Sequence, residues 1–213
     1  MPEACQDFPI IHRLGLVEYQ PTIASMKAYN EQRKADSEDQ IWLLEHPPVF
    51  TQGLSCESRP RTNPANIPVV KTDRGGQITY HGPGQAIAYL MIDLKRSGQG
   101  IRHLVHEIEQ AIIEILAGFG VDGARRQGAP GVYVNNSKIA ALGLRVRKGC
   151  TYHGLSLNVD MDLEPFSWID PCGYEGLTVT NLREFVPDVE LAAVFEQLAK
   201  RLPELVRQKS YLK

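Results

Sequence analysis

The sequence predicts an α+β fold, a mixed and largely antiparallel sheet with helices packed on one side, in a single domain over residues 1–213. Plain hairpin turns, at Asn135-Asn136 and Lys148-Gly149-Cys150, join apolar strand-like runs. Other such runs are separated by long crossovers. Stripes at helical spacing lie between and after them. A hydrophobic content of 43% suits one domain with a real core.

Residues 10–19 hold Leu14, Leu16 and Val17 and read as a first strand. Pro21 suits the first turn of a helix that runs to about Lys34. Ile41-Trp42-Leu43-Leu44-Glu45 is a short buried strand, stopped where Pro47 and Pro48 forbid further ladder bonds. His46, at that strand's end, reads as a solvated loop histidine. Residues 55–68 carry Pro60, Pro64 and Pro68 and read as an irregular surface loop. Val69 to Thr72 form a strand, and residues 86–94 form a nearly continuous apolar one, as expected of a central strand covered on both faces. Leu104, Ile108, Ile112, Ile115 and Phe119 trace the cleanest helical stripe, which ends before Gly120. His103 and His106 on it read as surface residues. Residues 131–134 and 137–147 make a hairpin, and a further strand returns from Thr151. A last helix spans about Val189 to Arg201.

A formal net charge of −2, from 23 basic and 25 acidic residues, gives no basic field and no argument for nucleic-acid binding. No apolar run reaches the length of a membrane span, and residues 1–7 lack the regions of a signal peptide. The expectation is a soluble, cytoplasmic monomer. Cys5, Cys56, Cys150 and Cys172 are too scattered for a disulfide framework or a structural zinc site.

The densest chemical signal is Arg74-Gly75-Gly76-Gln77-Ile78-Thr79-Tyr80-His81-Gly82-Pro83-Gly84-Gln85. Its glycines let a ligand approach the backbone. A guanidinium, an amide, a phenol and an imidazole stand among them. Further on, period-two alternation puts Lys138 on one face with Ala140, Leu142 and Leu144. A lysine there either snorkels from the strand's end or points into a cleft. Cys172, between Pro171 and Gly173, does not look like a packed core position. A thiol is only a few per cent thiolate at neutral pH, so as a nucleophile it needs a nearby cation or base. Lys138 is a sensible partner, and only the fold can bring the two together.

Three stretches resemble, in order, the lipoyl(octanoyl) transferases, the family also called lipoate-protein ligase B. They are the glycine-rich run, Asn136-Ser137-Lys138-Ile139-Ala140-Ala141-Leu142-Gly143-Leu144-Arg145, and Asp170-Pro171-Cys172-Gly173-Tyr174. The resemblance implies a fold similar to the biotin/lipoate ligase catalytic domain. It implies that Cys172 takes the acyl group as a thioester and that Lys138 lowers the thiol's pKa and acts as acid and base. Arg74, Gly75, Gly76, Gln77, Ile78, Thr79, Tyr80 and His81 would line the acyl pocket, with Ala141, Leu142, Gly143, Gly154, Leu155 and Ser156. His153 is a secondary candidate. The implied donor is octanoyl-acyl carrier protein. The implied acceptors are lipoyl domains of 2-oxoacid dehydrogenase complexes and the glycine cleavage H protein. No cofactor and no ATP are implied, because thioester to amide runs downhill.

Two other readings compete. An ATP-dependent lipoate ligase would activate a free acid and need no catalytic cysteine. A non-catalytic binder of carrier domains would keep Cys172 as a structural residue.

Overall fold

In the computed structural model, residues 8–56, 59–170 and 177–206 are described. In chain order the elements are β1 (Ile10–Leu16), α1 (Tyr19–Gln32), β2 (Gln40–Glu45), β3 (Val49–Gln52), β4 (Val69–Lys71) and β5 (Ile78–His81). There follow β6 (Gln85–Met91), α2 (Ile101–Gly118), β7 (Ala124–Arg125), β8 (Val132–Val134), β9 (Ser137–Arg147), β10 (Cys150–Asn158) and α3 (Leu191–Arg201). The main sheet has the order β1-β2-β6-β10-β9-β8-β7, and a small one has the order β4-β3-β5. In the main sheet β1 and β2 pair in parallel, and the other neighbours pair antiparallel. The expected fold class is therefore present.

Local sequence explains the hairpins. Asn135 and Asn136 take φ of 48° and 69°, the pair of left-handed residues that a tight hairpin turn needs. Lys148 and Gly149 repeat the device at φ of 54° and 86°.

Strand β6 is buried along its whole length. Its Ala86, Ala88 and Leu90 face one core, shared with α2 and α3. Its Ile87, Tyr89 and Met91 face another, under Tyr19, Ile23 and Met26 of α1. The helices, expected on one side, thus divide between the two faces. A central strand apolar on both sides needs a cover on each. Leu90, Leu104 and Ile108 are completely buried, each worth about 1.5–3 kcal/mol relative to exposure.

The small sheet alternates in the same way. Phe50 and Tyr80, a cross-strand pair, face outward onto Met161, Phe166 and Ile169. Val49 and His81, the adjacent pair, face the other way, toward α1 and the main sheet. No helix among the described residues is long and apolar enough to cross a membrane.

Candidate active site

The small sheet and the loop leading into β5 lie over the main sheet. Between them is a cleft enclosing about 580 Å³ of empty space, part of it open to solvent. Its floor is built from small residues side by side: Ala141 pairs with Ser156, and Gly143 with Gly154. Ile87 and Tyr89 of β6 continue it, opposite Ser156 and Gly154. A Cβ on Gly143 would lie 3.2 Å from Arg74 Cδ and 3.3 Å from the Gly75 carbonyl, so the roof loop rests on this glycine. At Gly154 a Cβ would come 2.0 Å from the Ala88 carbonyl oxygen.

Arg74, Gly76, Gln77, Ile78, Thr79 and His81 border the cleft from the roof, and Ala141, Leu142, Gly143, Gly154, Leu155 and Ser156 from the floor. Two residues expected there do not line it. Gly75 lies at its rim against Gly143, with its N–H donating to the Leu144 carbonyl at 3.3 Å. Tyr80 sits on the outward side of β5, its ring 5.6 Å from Phe50 and 5.5 Å from Phe166. Successive strand residues alternate faces, so Thr79 and His81 cannot share the cleft with the Tyr80 ring. Tyr19, Ile87 and Tyr89 border the cleft without having been expected. Their sequence context is ordinary, and only the meeting of α1 and β6 brings them in. Cys172 lies outside the described residues.

Lys138 reaches the cleft through an irregularity. On β8, Tyr133 stands opposite Lys138 and Val132 opposite Ala140, so Ile139 is the extra residue of a β-bulge. Val132 and Ala140 belong to the α2 core, and Lys138 falls on the other side, bordering the cleft. The alternation that placed Lys138 with Ala140 fails at this bulge. Lys138 is only 5% exposed. Its Nζ donates to the Pro130 carbonyl at 3.0 Å and lies 5.2 Å from the Tyr133 ring centre. Its backbone pairs with the chain beyond Cys172: Lys138 N–H donates to Thr178 O at 2.9 Å, and Thr180 N–H to Lys138 O at 3.0 Å.

The opposite end of the cleft is rich in imidazoles that burial keeps neutral. His46 is completely buried, not solvated as expected. Its Nδ1–H donates to the Val17 carbonyl at 2.6 Å, so its Nε2 accepts from the Tyr89 hydroxyl at 2.8 Å. Burial lowers its pKa to about 4. His81 Nδ1 donates to Gln85 Oε1 at 2.7 Å, and burial lowers its pKa to about 3. His153 is lowered too, by burial that its Asp73 partner partly offsets. Its φ of 60° is unusual for a strand residue. The Asp73 carboxylate takes His153 Nε2 at 3.1 Å, the Tyr152 hydroxyl at 2.6 Å and Lys27 Nζ at 3.0 Å. These bonds, that of His153 foremost, hold its carboxyl well below the usual range.

Arg74 is buried, and its guanidinium serves the roof itself. Nη2 donates to the carbonyls of Thr51 and Gln77, each at 2.7 Å, Nε to Thr51 Oγ1 at 3.1 Å and Nη1 to Gly75 O at 2.9 Å. Most polar groups at this end, the Arg74 guanidinium included, are thus engaged by the protein, which leaves little unpaired polarity to oppose an apolar guest. His103 and His106 are exposed, and the described residues contain no cluster of three or more metal-ligating side chains.

Known proteins agree with this architecture. The octanoyltransferase of Aromatoleum aromaticum is 54% identical to the chain, over 92% of it and 85% of that protein. The octanoyltransferase of Pseudomonas putida is 54% identical over 89% of the chain and 88% of its own length. A crystal structure of lipoate-protein ligase A bound with ATP superposes with a TM-score of 0.78 at 16% identity, covering 93% of this chain and 85% of that one. Biotin protein ligase from Aquifex aeolicus, in complex with biotin and ATP, gives 0.60 at 14% identity, over 95% of this chain and 74% of that one. At such identities the likeness is one of fold alone. The family described as lipoyl protein ligase A/B catalytic domain matches residues 18–203, and the chain belongs to that family.

Proposed function

We propose that this protein is an octanoyltransferase of protein lipoylation. It moves an octanoyl group from octanoyl-acyl carrier protein to a lysine of a lipoyl domain, by way of a thioester on Cys172. Lipoyl domains of 2-oxoacid dehydrogenase complexes and the glycine cleavage H protein are the acceptors. The observation that carries the reading is the position of Lys138. A bulge turns its side chain into a cleft floored by small residues and roofed by side chains whose polar groups are engaged within the protein. The chain just beyond Cys172 supports the pairing, because Thr178 and Thr180 are hydrogen-bonded to the backbone of Lys138.

In this reading the Lys138 ammonium favours the Cys172 thiolate. The thiolate attacks the donor's thioester carbon, and the carrier's thiolate leaves with a proton from the Lys138 ammonium, which becomes a neutral amine. The acceptor's ε-amine then attacks the acyl-enzyme, giving up a proton that Lys138 takes, and Cys172 is released. The octanoyl chain lies over Ala141, Gly143, Gly154 and Ser156, where the sheet has room for it. One thioester is made as another is broken, and the final amide is lower in energy, so neither ATP nor a cofactor enters.

The test is intact-mass spectrometry after mixing the protein with octanoyl-acyl carrier protein and no ATP. An octanoyl adduct is expected on the wild type and absent in Cys172→Ser. A lipoyl domain should discharge it, and Lys138→Ala should slow both steps. Product formed only with ATP and free octanoic acid would make the protein a ligase instead. Binding of the carrier without transfer would make it a binding module.

A further inference from the structure

The apolar stripe of α2 contains one buried carboxylate. Glu109 is 7% exposed, between Ile108 and Ile112 on the face that packs over β8 and β9. A buried charge is costly unless it is paired and hydrogen-bonded. Glu109 is both. Its Oε2 lies 3.2 Å from Arg125 Nε, and its Oε1 accepts the Gly131 N–H at 2.8 Å. Arg125 in turn donates to the His106 carbonyl at 2.9 Å and to Gln110 Oε1 at 3.0 Å, which fixes the pair to α2.

The other end of the same peptide group faces the cleft lysine. The Pro130 carbonyl accepts from Lys138 Nζ at 3.0 Å. The N–H and C=O of one peptide are conjugated and point opposite ways. A carboxylate on the N–H therefore makes the carbonyl a stronger acceptor. The contact is also close. Gly131 has φ of +133°, and a Cβ on it would meet Ala140 O at 2.6 Å, Lys138 Cε at 3.1 Å and Lys138 Nζ at 3.3 Å.

We propose that Glu109 is a positioning residue, holding the Lys138 ammonium in the cleft through the Pro130–Gly131 peptide group. The proposal rests on the reading of Lys138 as the acid and base of the transfer. It makes the helix on the far side of the sheet part of the site's support.

The experiment uses Glu109→Gln, which keeps the shape and an acceptor for Gly131 but removes the charge. Lys138 is labelled with acetic anhydride at neutral pH and its rate is read by peptide mass spectrometry, with exposed Lys200 as the internal reference. Expected is labelling of Lys138 about three- to tenfold faster than in the wild type, because a less stabilised ammonium gives more free amine. In octanoyl transfer, kcat should fall by a similar factor while KM for the carrier protein stays within about twofold. A turn held merely for folding would change neither. Wild-type labelling in Glu109→Gln, at an unchanged thermal midpoint, overturns the proposal. A Lys138→Ala variant separates this from the underlying reading. If it transfers octanoyl at the wild-type rate, Lys138 has no part in the chemistry, whatever the labelling shows. If it is inactive and the labelling is unchanged, only the role of Glu109 fails.

Discussion

His46 and Tyr89 share a buried hydrogen bond of 2.8 Å whose direction is fixed from behind, because Val17 O holds the His46 proton on Nδ1. Tyr89 must therefore donate. Removing its hydroxyl leaves a buried imidazole nitrogen without a donor. Tyr89→Phe should cost about 1–3 kcal/mol of stability, seen as a lower urea midpoint at unchanged slope. A variant as stable as the wild type would show that water or another group replaces the hydroxyl.

The same imidazoles set a pH dependence. His46 and His81 titrate near 4 and 3 in the folded protein, against 6.5 when unperturbed. Above pH 6.5 both are neutral in either state, and their contribution is complete. As pH falls below 6.5 the unfolded chain takes up protons that the folded one refuses. Stability then drops by up to about 1.4 kcal/mol per pH unit for each histidine. The loss levels off near pH 4 for His46 and near pH 3 for His81. Urea denaturation between about pH 7.5 and 5 measures it. His81→Asn should flatten the slope, and an unchanged slope would sink the assignment.

Gly154→Ala should be among the most damaging single-methyl additions. The new Cβ would meet backbone, 2.0 Å from Ala88 O and 3.0 Å from its carbon, and β6 cannot move without opening both cores. A loss of about 3 kcal/mol or more is expected, read as a fall in thermal midpoint. Gly143→Ala is the control. Its nearest contacts, Arg74 Cδ at 3.2 Å and Gly75 O at 3.3 Å, are tight but do not overlap, so the change should be milder.

Arg74→Lys tests whether the guanidinium braces the roof. A lysine cannot reproduce its fork to Thr51 and Gln77. The carbonyls of Thr51, Gln77 and Gly75 would lose the guanidinium, and Gln77 would keep only the Gly53 N–H at 3.3 Å, at a cost of about 1–3 kcal/mol. If Arg74 acted mainly on substrate, transfer would fall with stability unchanged.

Much of this was legible in the sequence. The two hairpins, the central strand and the α2 stripe follow from local rules, and each lies within a few residues of its expected bounds. Ala141, Gly143, Gly154 and Ser156 were implied as pocket residues by the family resemblance, and their small size fits the cleft's floor they border. What escaped depends on context. A bulge at Ile139 has no local signature, yet it decides which face Lys138 takes. His46 reads as a loop residue because its partners, Val17 and Tyr89, are 29 and 43 residues away. Tyr80 was assigned to the cleft along with its whole run, where a period of two separates it from its neighbours. The covering of both sheet faces follows from β6 alone, and α1 supplies the second cover.

Asp73 gives the cleft a place in time. The small sheet is local, with every strand between Val49 and His81, and can form early in synthesis. The carboxylate that moors its loop waits for Tyr152 and His153, which lie 79 and 80 residues further along the chain. Contacts that distant form only after a large loop has closed. The roof therefore docks late, once β10 has taken its place between β6 and β9, and a growing chain carries no finished cleft until most of it has been made.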